Sequence, residues 1–296
     1  SALLHKQPDD VWPLDFQLGW NIDREAAVLP ENVEPYVTGL IGKDVAFSKE
    51  WYSVYTFQCR RMRHFVHDRV IFAGDAAHLV SPFGARGCNG GLQDADNLAW
   101  KLDLVVRAIA DESLIDSYNY EAIVTADENI LNSIRSTDFI TPKSRFSRIL
   151  RNAVLELARD HAFARPFVNS GRLSTAVHFP GSPLNTADRD DWEAGIAPGS
   201  PMLDAPLGGG WLLDALGDAF VLVSNGAVAA PSGLTVLDLS AHNGNGTAIE
   251  RCGLPVGAAM LVRPDHYVAA RWKSPSRAAI ASALARAQGV VAHADA

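Results

Sequence analysis

Residues 70–102, VIFAGDAAHLVSPFGARGCNGGLQDADNLAWKL, join an apolar run, a glycine-rich segment and a stretch with helical periodicity. The apolar residues 70–73 predict a buried strand, which Gly74 and Asp75 end. From Leu92 onward, apolar residues recur at helical spacing. A strand, a glycine-rich loop and a helix start together predict a cradle for an anionic ligand, because glycine lets backbone approach closely and a helix N-terminus offers unpaired N–H groups.

This run resembles the second flavin-binding motif of the aromatic-ring hydroxylases, the flavoprotein monooxygenases of the para-hydroxybenzoate hydroxylase and phenol hydroxylase type. The matching positions are Gly74-Asp75-Ala76-Ala77-His78, Pro82, Gly84, Gly87, Asn89, Gly91, Asp94-Ala95 and Asn97-Leu98-Ala99-Trp100-Lys101-Leu102. Agreement at so many fixed positions is far more specific than a lone GxGxxG. The purely structural alternative is a helix capped by a glycine-rich turn.

The resemblance implies FAD as the cofactor and gives individual residues roles toward it. It implies that Asp75 holds a ribityl hydroxyl and that Pro82 packs beside the isoalloxazine and the substrate. A helix starting near residues 90–91 would aim its positive end at the ring, where it would stabilise negative charge by about 0.3–1 kcal/mol. Backbone toward the pyrimidine end of the ring is implied for Gly87, Cys88 and Asn89. The full set implied at the cofactor is Gly74, Asp75, Pro82, Gly84, Gly87, Cys88 and Asn89.

The activity implied by the resemblance is hydroxylation of a phenolic or other aromatic compound. NAD(P)H would reduce FAD, oxygen would add to the reduced flavin, and the resulting flavin hydroperoxide would pass one oxygen atom to the ring. Pro82 is the only residue expected beside the reaction centre, and no catalytic base is assigned. Two alternatives stay open: a non-catalytic assembly or dimerisation module, and an epoxidase or halogenase of the same fold.

Residues 47–59, FSKEWYSVYTFQC, are rich in aromatic and β-branched side chains and predict a long strand. The resemblance places this strand on the floor of the substrate pocket, although ordinary sheet packing is the alternative for each side chain. Arg60 follows the strand and is the residue chosen to attract NAD(P)H phosphates or a substrate carboxylate. The side chains implied to contact substrate are Tyr52, Val54, Tyr55 and Phe57.

Composition narrows the classes of protein that this chain can be. The 296 residues carry a formal net charge of -8, which argues against a nucleic-acid partner. No apolar run reaches the roughly 18 residues that a membrane helix needs. Three widely spaced cysteines suit a reducing cytoplasm, where we expect the protein to reside. No metal site is predicted, because His64-x-x-His67 lacks further ligands.

No GxGxxG follows a strand anywhere in the sequence. The resembling family carries that dinucleotide fingerprint near the start of its polypeptide. The sequence is therefore expected to be the C-terminal part of a longer hydroxylase, which by itself binds FAD weakly or not at all and is inactive. A naturally short relative that lost flavin binding is the alternative.

The resemblance implies the fold class, α/β and α+β: the remnant of an FAD/NAD(P)-binding Rossmann-like domain and of a β-sheet substrate domain, a helical segment, then a thioredoxin-like α/β domain similar to that of phenol-hydroxylase-type members. The expected boundaries are residues 1–65 for the C-terminal part of the substrate domain, 66–185 for the C-terminal part of the FAD-binding domain with its following helices, 186–195 for a linker and 196–296 for the thioredoxin-like domain.

Local patterns support individual elements of this scheme. Pro30 opens a predicted helix that Gly42 ends. Residues 258–271 predict a β-hairpin, and residues 276–288 a closing helix. Redox activity is not expected of the thioredoxin-like domain because Cys252 has no partner in a Cys-x-x-Cys motif. A role as a scaffold, or in forming a homodimer, is predicted instead.

Overall fold

The structure, a computed structural model, describes residues 2–19, 21–82, 85–168 and 176–290. Its helices are α1 (Arg24–Ala27), α2 (Pro30–Ile41), α3 (Arg86–Val106), α4 (Leu114–Ile140), α5 (Arg145–Asp160), α6 (Arg165–Val168), α7 (Leu212–Leu216), α8 (Gly246–Cys252) and α9 (Arg277–Ala287). Its strands are β1 (Ala2–Leu4), β2 (Leu14–Phe16), β3 (Arg60–Arg61), β4 (Val66–His67), β5 (Val70–Ile71), β6 (His78–Leu79), β7 (Pro206–Leu207), β8 (Gly210–Trp211), β9 (Val221–Ser224), β10 (Thr235–Asp238), β11 (Ala259–Val262) and β12 (Val268–Trp272). Within these ranges, no helix is both long and apolar enough to cross a bilayer.

The chain divides into two compact units, residues 1–58 with 135–170 and residues 59–134 with 171–296. In the first unit, β1 and β2 pair antiparallel. Helix α2 has Pro30 at its start and Gly42 at its end, where Gly42 adopts a φ of 103°. The predicted helix over residues 30–41 is confirmed, because proline is preorganised for a first turn and glycine tolerates the backbone that ends one.

The strand predicted over residues 47–59 is wrong. These residues form neither helix nor strand, and no strand among the described residues pairs with them. The aromatic rings instead contact one another along the segment, with centroids 6.4 Å apart for Trp51 and Tyr55 and 6.2 Å apart for Tyr55 and Phe57. Strand propensity records how well side chains fit a pleated, half-buried surface, so it does not create a strand where no neighbour supplies a ladder.

In the second unit, the apolar run 70–73 contributes only the two-residue strand β5, which pairs with β4. Val70 is 57% exposed, so the prediction of a buried strand is wrong at that residue. A single 3-10 turn, Gly74–Ala76, follows as the chain leaves β5. Strand β6 then pairs antiparallel with β3, and the chain runs into α3.

Helix α3 begins at Arg86, several residues before the predicted start near residues 90–91. Glycine costs about 1 kcal/mol relative to alanine in a helix interior, which is why its density here predicted a loop. Tertiary packing overrides that cost, because Gly90 is buried and lies against His78 and Asn129. The residues Gly87, Cys88 and Asn89 thus occupy the first turns of the helix rather than a loop.

The C-terminal part of the second unit contains a four-stranded sheet in the order β10-β9-β11-β12. Strands β10 and β9 are parallel, whereas β11 is antiparallel to both β9 and β12. The predicted hairpin is confirmed as β11 and β12, and the predicted closing helix as α9. The Ser276 side chain caps α9 by accepting the Ala279 N–H at 3.1 Å.

Residues 186–195, predicted to be a linker, lie along β12. The Thr186 N–H donates to the Ala269 carbonyl at 2.8 Å, and Arg271 forms an ion pair with Asp188 at 2.6 Å. The segment is therefore held by polar contacts on the sheet edge. The domain boundaries given above remain predictions.

Candidate functional site

The turn after β5 sits directly on helix α3. The Gly74 N–H donates to Asp94 Oδ2 at 2.8 Å, and the Gly74 carbonyl accepts the Ala77 N–H at 2.9 Å. Gly74 has a φ of 58°, and a Cβ built on it would lie 3.7 Å from the Gly91 Cα. The turn and the helix thus face each other at two glycines, and the positive φ of Gly74 is one that glycine adopts readily.

Asp94 also binds His78, whose Nε2 lies 2.8 Å from the same Oδ2. A carboxylate only accepts, so Nε2 carries the proton. The His78 ring lies in a stacked contact with Phe65, with centroids 5.8 Å apart. His78 therefore fixes the segment through Asp94, and His78 and Asp94 are both buried.

Beside this buried anchor lies an exposed polar edge. Asp75 is exposed, and its carboxylate contacts no partner among the described residues. Asn89 donates from Nδ2 to the Ala85 carbonyl at 2.7 Å, and Gly87 is half-buried. Gly84, predicted to belong to this set, lies outside the described residues. The exposed residues of the predicted cofactor set are Asp75, Pro82, Cys88 and Asn89.

The start of α3 provides further hydrogen-bond donors. Ala85 precedes the helix with a φ of 52°, and its N–H donates to the Pro82 carbonyl at 3.0 Å. Arg86 turns inward and donates to Asn129 Oδ1 at 3.1 Å. The first N–H groups of a helix have no acceptor within it and carry partial positive charge. A free acidic side chain, close glycine backbone and a helix start are features that suit the flavin implied by the sequence.

Arg60 and Arg61 differ in what they contact. Arg60, the predicted anion-binding residue, is exposed on β3. Arg61 is engaged with Asp127 by two hydrogen bonds of 2.6 and 2.8 Å. This pairing leaves Arg60 as the member of the two that faces solvent.

The predicted substrate residues belong to the first unit, whereas the flavin motif belongs to the second. Tyr52 and Val54 are half-buried, and the Val54 carbonyl accepts Arg24 Nη2 at 2.9 Å. Tyr55 and Phe57 are exposed.

A buried ionic network lies farther along α3, and sequence reasoning missed it. Lys101 Nζ binds Glu121 Oε2 at 2.7 Å, and Arg263 Nη1 binds Glu121 Oε1 at 2.6 Å. Arg263 Nε also binds Asp265 Oδ1 at 2.9 Å. All four side chains are at most 1% exposed. One signal was available in the sequence, since Lys101 and Glu121 are charged residues directly beside the apolar Trp100 and Ala122, respectively.

Neutral hydrogen-bonding groups complete this network. Asn97 Nδ2 donates to Glu121 Oε2 at 2.7 Å, Ser182 Oγ donates to Glu121 Oε1 at 2.6 Å, and Trp100 Nε1 donates to Asp265 Oδ2 at 3.1 Å. A cavity of about 40 Å³ adjoins the network. This cavity is large enough for water but not for a flavin.

Burial and charge shift the pKa values of this network in opposite directions. Burial lowers the pKa of Lys101 to about 8 in spite of the adjacent Glu121 carboxylate. Burial alone would raise the pKa of Glu121, but Arg263 and Lys101 outweigh it and hold that pKa below its ordinary value. Away from the network, burial raises the pKa of the Cys252 thiol to about 12. Among the described residues, no group of three or more His, Cys, Asp or Glu side chains could hold a metal ion.

Residues 14–133 match a family model described as FAD binding domain. The chain is 32% identical over 289 residues to 6-methylpretetramide 4-monooxygenase from Streptomyces rimosus, an alignment that covers 82% of this chain and 49% of that protein. It is 36% identical over 124 residues to 3-(3-hydroxy-phenyl)propionate/3-hydroxycinnamic acid hydroxylase from Paraburkholderia xenovorans strain LB400, covering 42% of this chain and 20% of that protein. The chain thus spans about half or less of the length of these two relatives.

Among solved structures, the chain resembles anhydrotetracycline hydroxylase from Streptomyces rimosus with a TM-score of 0.67 and 26% identity, covering 97% of this chain and 58% of that one. The mixed α/β architecture is therefore that of the FAD-binding flavoprotein monooxygenases. Residues 14–133 match an FAD binding domain, and the homologues of this chain are flavin-dependent aromatic hydroxylases.

Proposed function

We propose that this chain forms part of an FAD-dependent monooxygenase that hydroxylates an aromatic substrate, with the exposed edge of the Gly74–Ala76 turn and the start of α3 facing the flavin. The observation that carries the proposal is the exposed Asp75 carboxylate, which follows Gly74 where the turn approaches Gly91 of α3. The match to an FAD binding domain over residues 14–133 supports it.

Individual residues have distinct parts in this proposal. Asp75 accepts a hydrogen bond from a ribityl hydroxyl of the flavin. Gly87, Cys88 and Asn89, at the positive end of α3, stabilise negative charge on the ring system. Pro82 packs against the ring and excludes water from it.

The bound FAD supplies the oxygen-activating chemistry, while the protein supplies orientation, exclusion of water and electrostatics. NAD(P)H is the proposed reductant, and the exposed Arg60 is the residue proposed to attract its phosphates or a substrate carboxylate. An aromatic substrate would contact Tyr52, Val54, Tyr55 or Phe57, in the first unit.

We propose further that residues 196–296 form a thioredoxin-like domain without redox activity, which joins two copies of the chain. The sheet order β10-β9-β11-β12 with the closing helix α9 supports the fold. The buried, lone Cys252 supports the inactivity, because thiol exchange needs a thiolate and a resolving cysteine. Sedimentation of the full chain tests dimer formation, and a monomer at all concentrations would contradict it.

The site is tested by titrating the full chain with FAD, up to millimolar concentration, and following the flavin absorbance. The wild-type chain is expected to bind weakly, with a dissociation constant above about 1 µM, because it contains no GxGxxG. Asp75→Ala should weaken binding roughly 10- to 100-fold, the effect of losing one hydrogen bond to a charged group. Its thermal midpoint should stay near the wild-type value, because the Asp75 side chain contacts no described residue.

The matched control is Asp103→Ala, which removes another exposed aspartate of the same unit, paired only with Arg107 on the helix surface. It should leave FAD affinity unchanged. Equal affinity in the Asp75→Ala and wild-type chains, or no binding by the wild-type chain at the highest FAD concentration, would contradict the proposal.

A further inference from the structure

Both backbone polar groups of Gly74 are engaged on the inner side of the turn. Its N–H donates to Asp94 Oδ2 at 2.8 Å, and its carbonyl accepts the Ala77 N–H at 2.9 Å. The second bond is internal to the turn, so it would survive if the turn moved as a whole. The bond to Asp94 is different, because it ties the turn to helix α3.

The same carboxylate oxygen receives His78 from β6, on the other side of the turn. Asp94 therefore holds the entry and the exit of the segment between β5 and β6 through one atom. Its side chain is 1% exposed, so water does not compete for these bonds. Charge-assisted hydrogen bonds of this kind are roughly twice as strong as neutral ones.

Asp75, by contrast, has no described side-chain contact that fixes its direction. The direction in which its side chain leaves the backbone is therefore set by the conformation and position of the Gly74–Ala76 turn. The orientation of Asp75 consequently depends on what holds the turn against α3. The turn approaches the helix where Gly74 faces Gly91, but an apolar contact of this kind supplies no direction.

We propose that Asp94 is a positioning residue for the flavin site: its buried carboxylate holds the Gly74 turn on helix α3 and thereby sets the direction of the Asp75 side chain. This inference rests on the proposed function for its consequence on FAD, but its structural part concerns this chain alone. Asp94 does not touch the cofactor; it acts through Gly74 and His78.

The test compares Asp94→Ala, Asp94→Asn, Asp75→Ala and Ser182→Ala in the full chain. Amide hydrogen exchange of the segment 72–79 is measured without FAD, and FAD affinity is measured in parallel. Asn can still place one carbonyl oxygen where Oδ2 lies, so Asp94→Asn serves as the conservative rescue. Ser182→Ala removes a buried hydrogen bond to Glu121 that does not touch the turn, so it controls for general destabilisation.

In Asp94→Ala the Gly74 amide is expected to exchange at least about 10-fold faster and FAD to bind at least about 10-fold more weakly, since the lost hydrogen bonds are to a charged acceptor. Asp94→Asn should restore most of the wild-type protection at Gly74 and most of the wild-type FAD affinity. Ser182→Ala should lower the thermal midpoint without accelerating exchange at Gly74. Asp75→Ala should weaken FAD binding while leaving exchange unchanged.

Exchange at Gly74 in Asp94→Ala that is no faster than in Ser182→Ala would overturn the inference. So would faster exchange with FAD affinity intact while Asp75→Ala loses affinity, because the turn would then not control the side chain. Faster exchange in Asp94→Ala, together with wild-type affinity in Asp75→Ala, would instead refute the proposed flavin role and leave the anchoring of the turn established.

Discussion

Glu121 is the residue on which the buried ionic network converges. It accepts from Lys101, Arg263, Asn97 and Ser182, and it is fully buried. A buried carboxylate is tolerated only when cations and donors surround it, and removal of one partner of such a set is typically strongly destabilising. Its contribution to stability should therefore depend on pH in a way that an exposed carboxylate does not reproduce.

The pKa of Glu121 in the folded chain lies below its ordinary value of 4.5 because Arg263 and Lys101 outweigh the effect of burial. The unfolded chain therefore takes up a proton at this position before the folded chain does. The stabilisation is fully present above about pH 4.5 and is lost as the pH falls below it, at up to about 1.4 kcal/mol per pH unit. Urea unfolding between pH 7 and pH 3 measures this slope.

Glu121→Gln should lower stability at neutral pH by roughly 3–5 kcal/mol and should lose less further stability in acid than the wild-type chain. The matched control is Glu112→Gln, which changes an exposed glutamate. Its free energy of unfolding should fall between pH 7 and pH 3 as steeply as that of the wild-type chain. If the stability of Glu121→Gln fell in acid as steeply as that of the wild-type chain, Glu121 would not be a source of the pH dependence.

Among single residues, the sequence could single out the members of the predicted cofactor motif but not those of the buried ionic network. Asp75 and His78 could be singled out because a resemblance attaches to their positions. The partnership of Glu121 with Arg263 could not, because it joins residues 142 positions apart and depends on how a hairpin packs on two helices.

Among the elements, α3 shows how packing decides a helix boundary. Gly90 and Gly91 are adjacent in sequence, yet a Cβ on each would meet different surroundings. On Gly91 the nearest atom would be the Gly74 Cα at 3.6 Å, an ordinary contact, whereas on Gly90 it would be His78 Cε1 at 3.2 Å.

Gly91→Ala is therefore expected to raise the free energy of unfolding by up to about 1 kcal/mol through helix propensity. Gly90→Ala should gain nothing or lose stability, because His78 is held by Asp94 and cannot move aside. The two variants, compared by urea unfolding without FAD, control for each other. A more stable Gly90→Ala chain would show that His78 has room to yield.

The elements that could be predicted were those whose start and stop signals lie in the local sequence. Helices α2 and α9 carry their own start and stop residues, and the hairpin of β11 and β12 carries a polar turn. The strand expected over residues 47–59 failed because a strand depends on a neighbour elsewhere in the chain. The prediction of where α3 starts was wrong because the packing that supports Gly90 comes from β6 and α4.

On the scale of the whole molecule, residues 59–134 and 171–296 form one compact unit. The ionic network joins the helices α3 and α4 of the first segment to the hairpin of the second. We therefore expect the helices and the C-terminal sheet to unfold together.

Cys252 reports on that coupling, since it is 1% exposed in the core of the C-terminal sheet and burial raises its pKa to about 12. Iodoacetamide should label the exposed Cys88 readily, but should label Cys252 only at the urea concentration at which far-UV circular dichroism shows loss of the helices. Arg263→Ala should lower the free energy of unfolding by roughly 3–5 kcal/mol and move both transitions to lower urea concentration. Arg277→Ala, which changes an exposed arginine, should leave both transitions in place. Labelling of Cys252 well before the helices melt would contradict the coupling.

The distance between Glu121 and Arg263 along the chain has a consequence for biosynthesis. Glu121 leaves the ribosome 142 residues before its main partner, a delay of roughly 7–28 s at usual elongation rates. During that interval Lys101 on α3 is the only cation of the network available to Glu121 on α4, and the surface that will receive the hairpin stays open to water. The translation rate over residues 122–263 thus sets how long Glu121 waits for the guanidinium of Arg263.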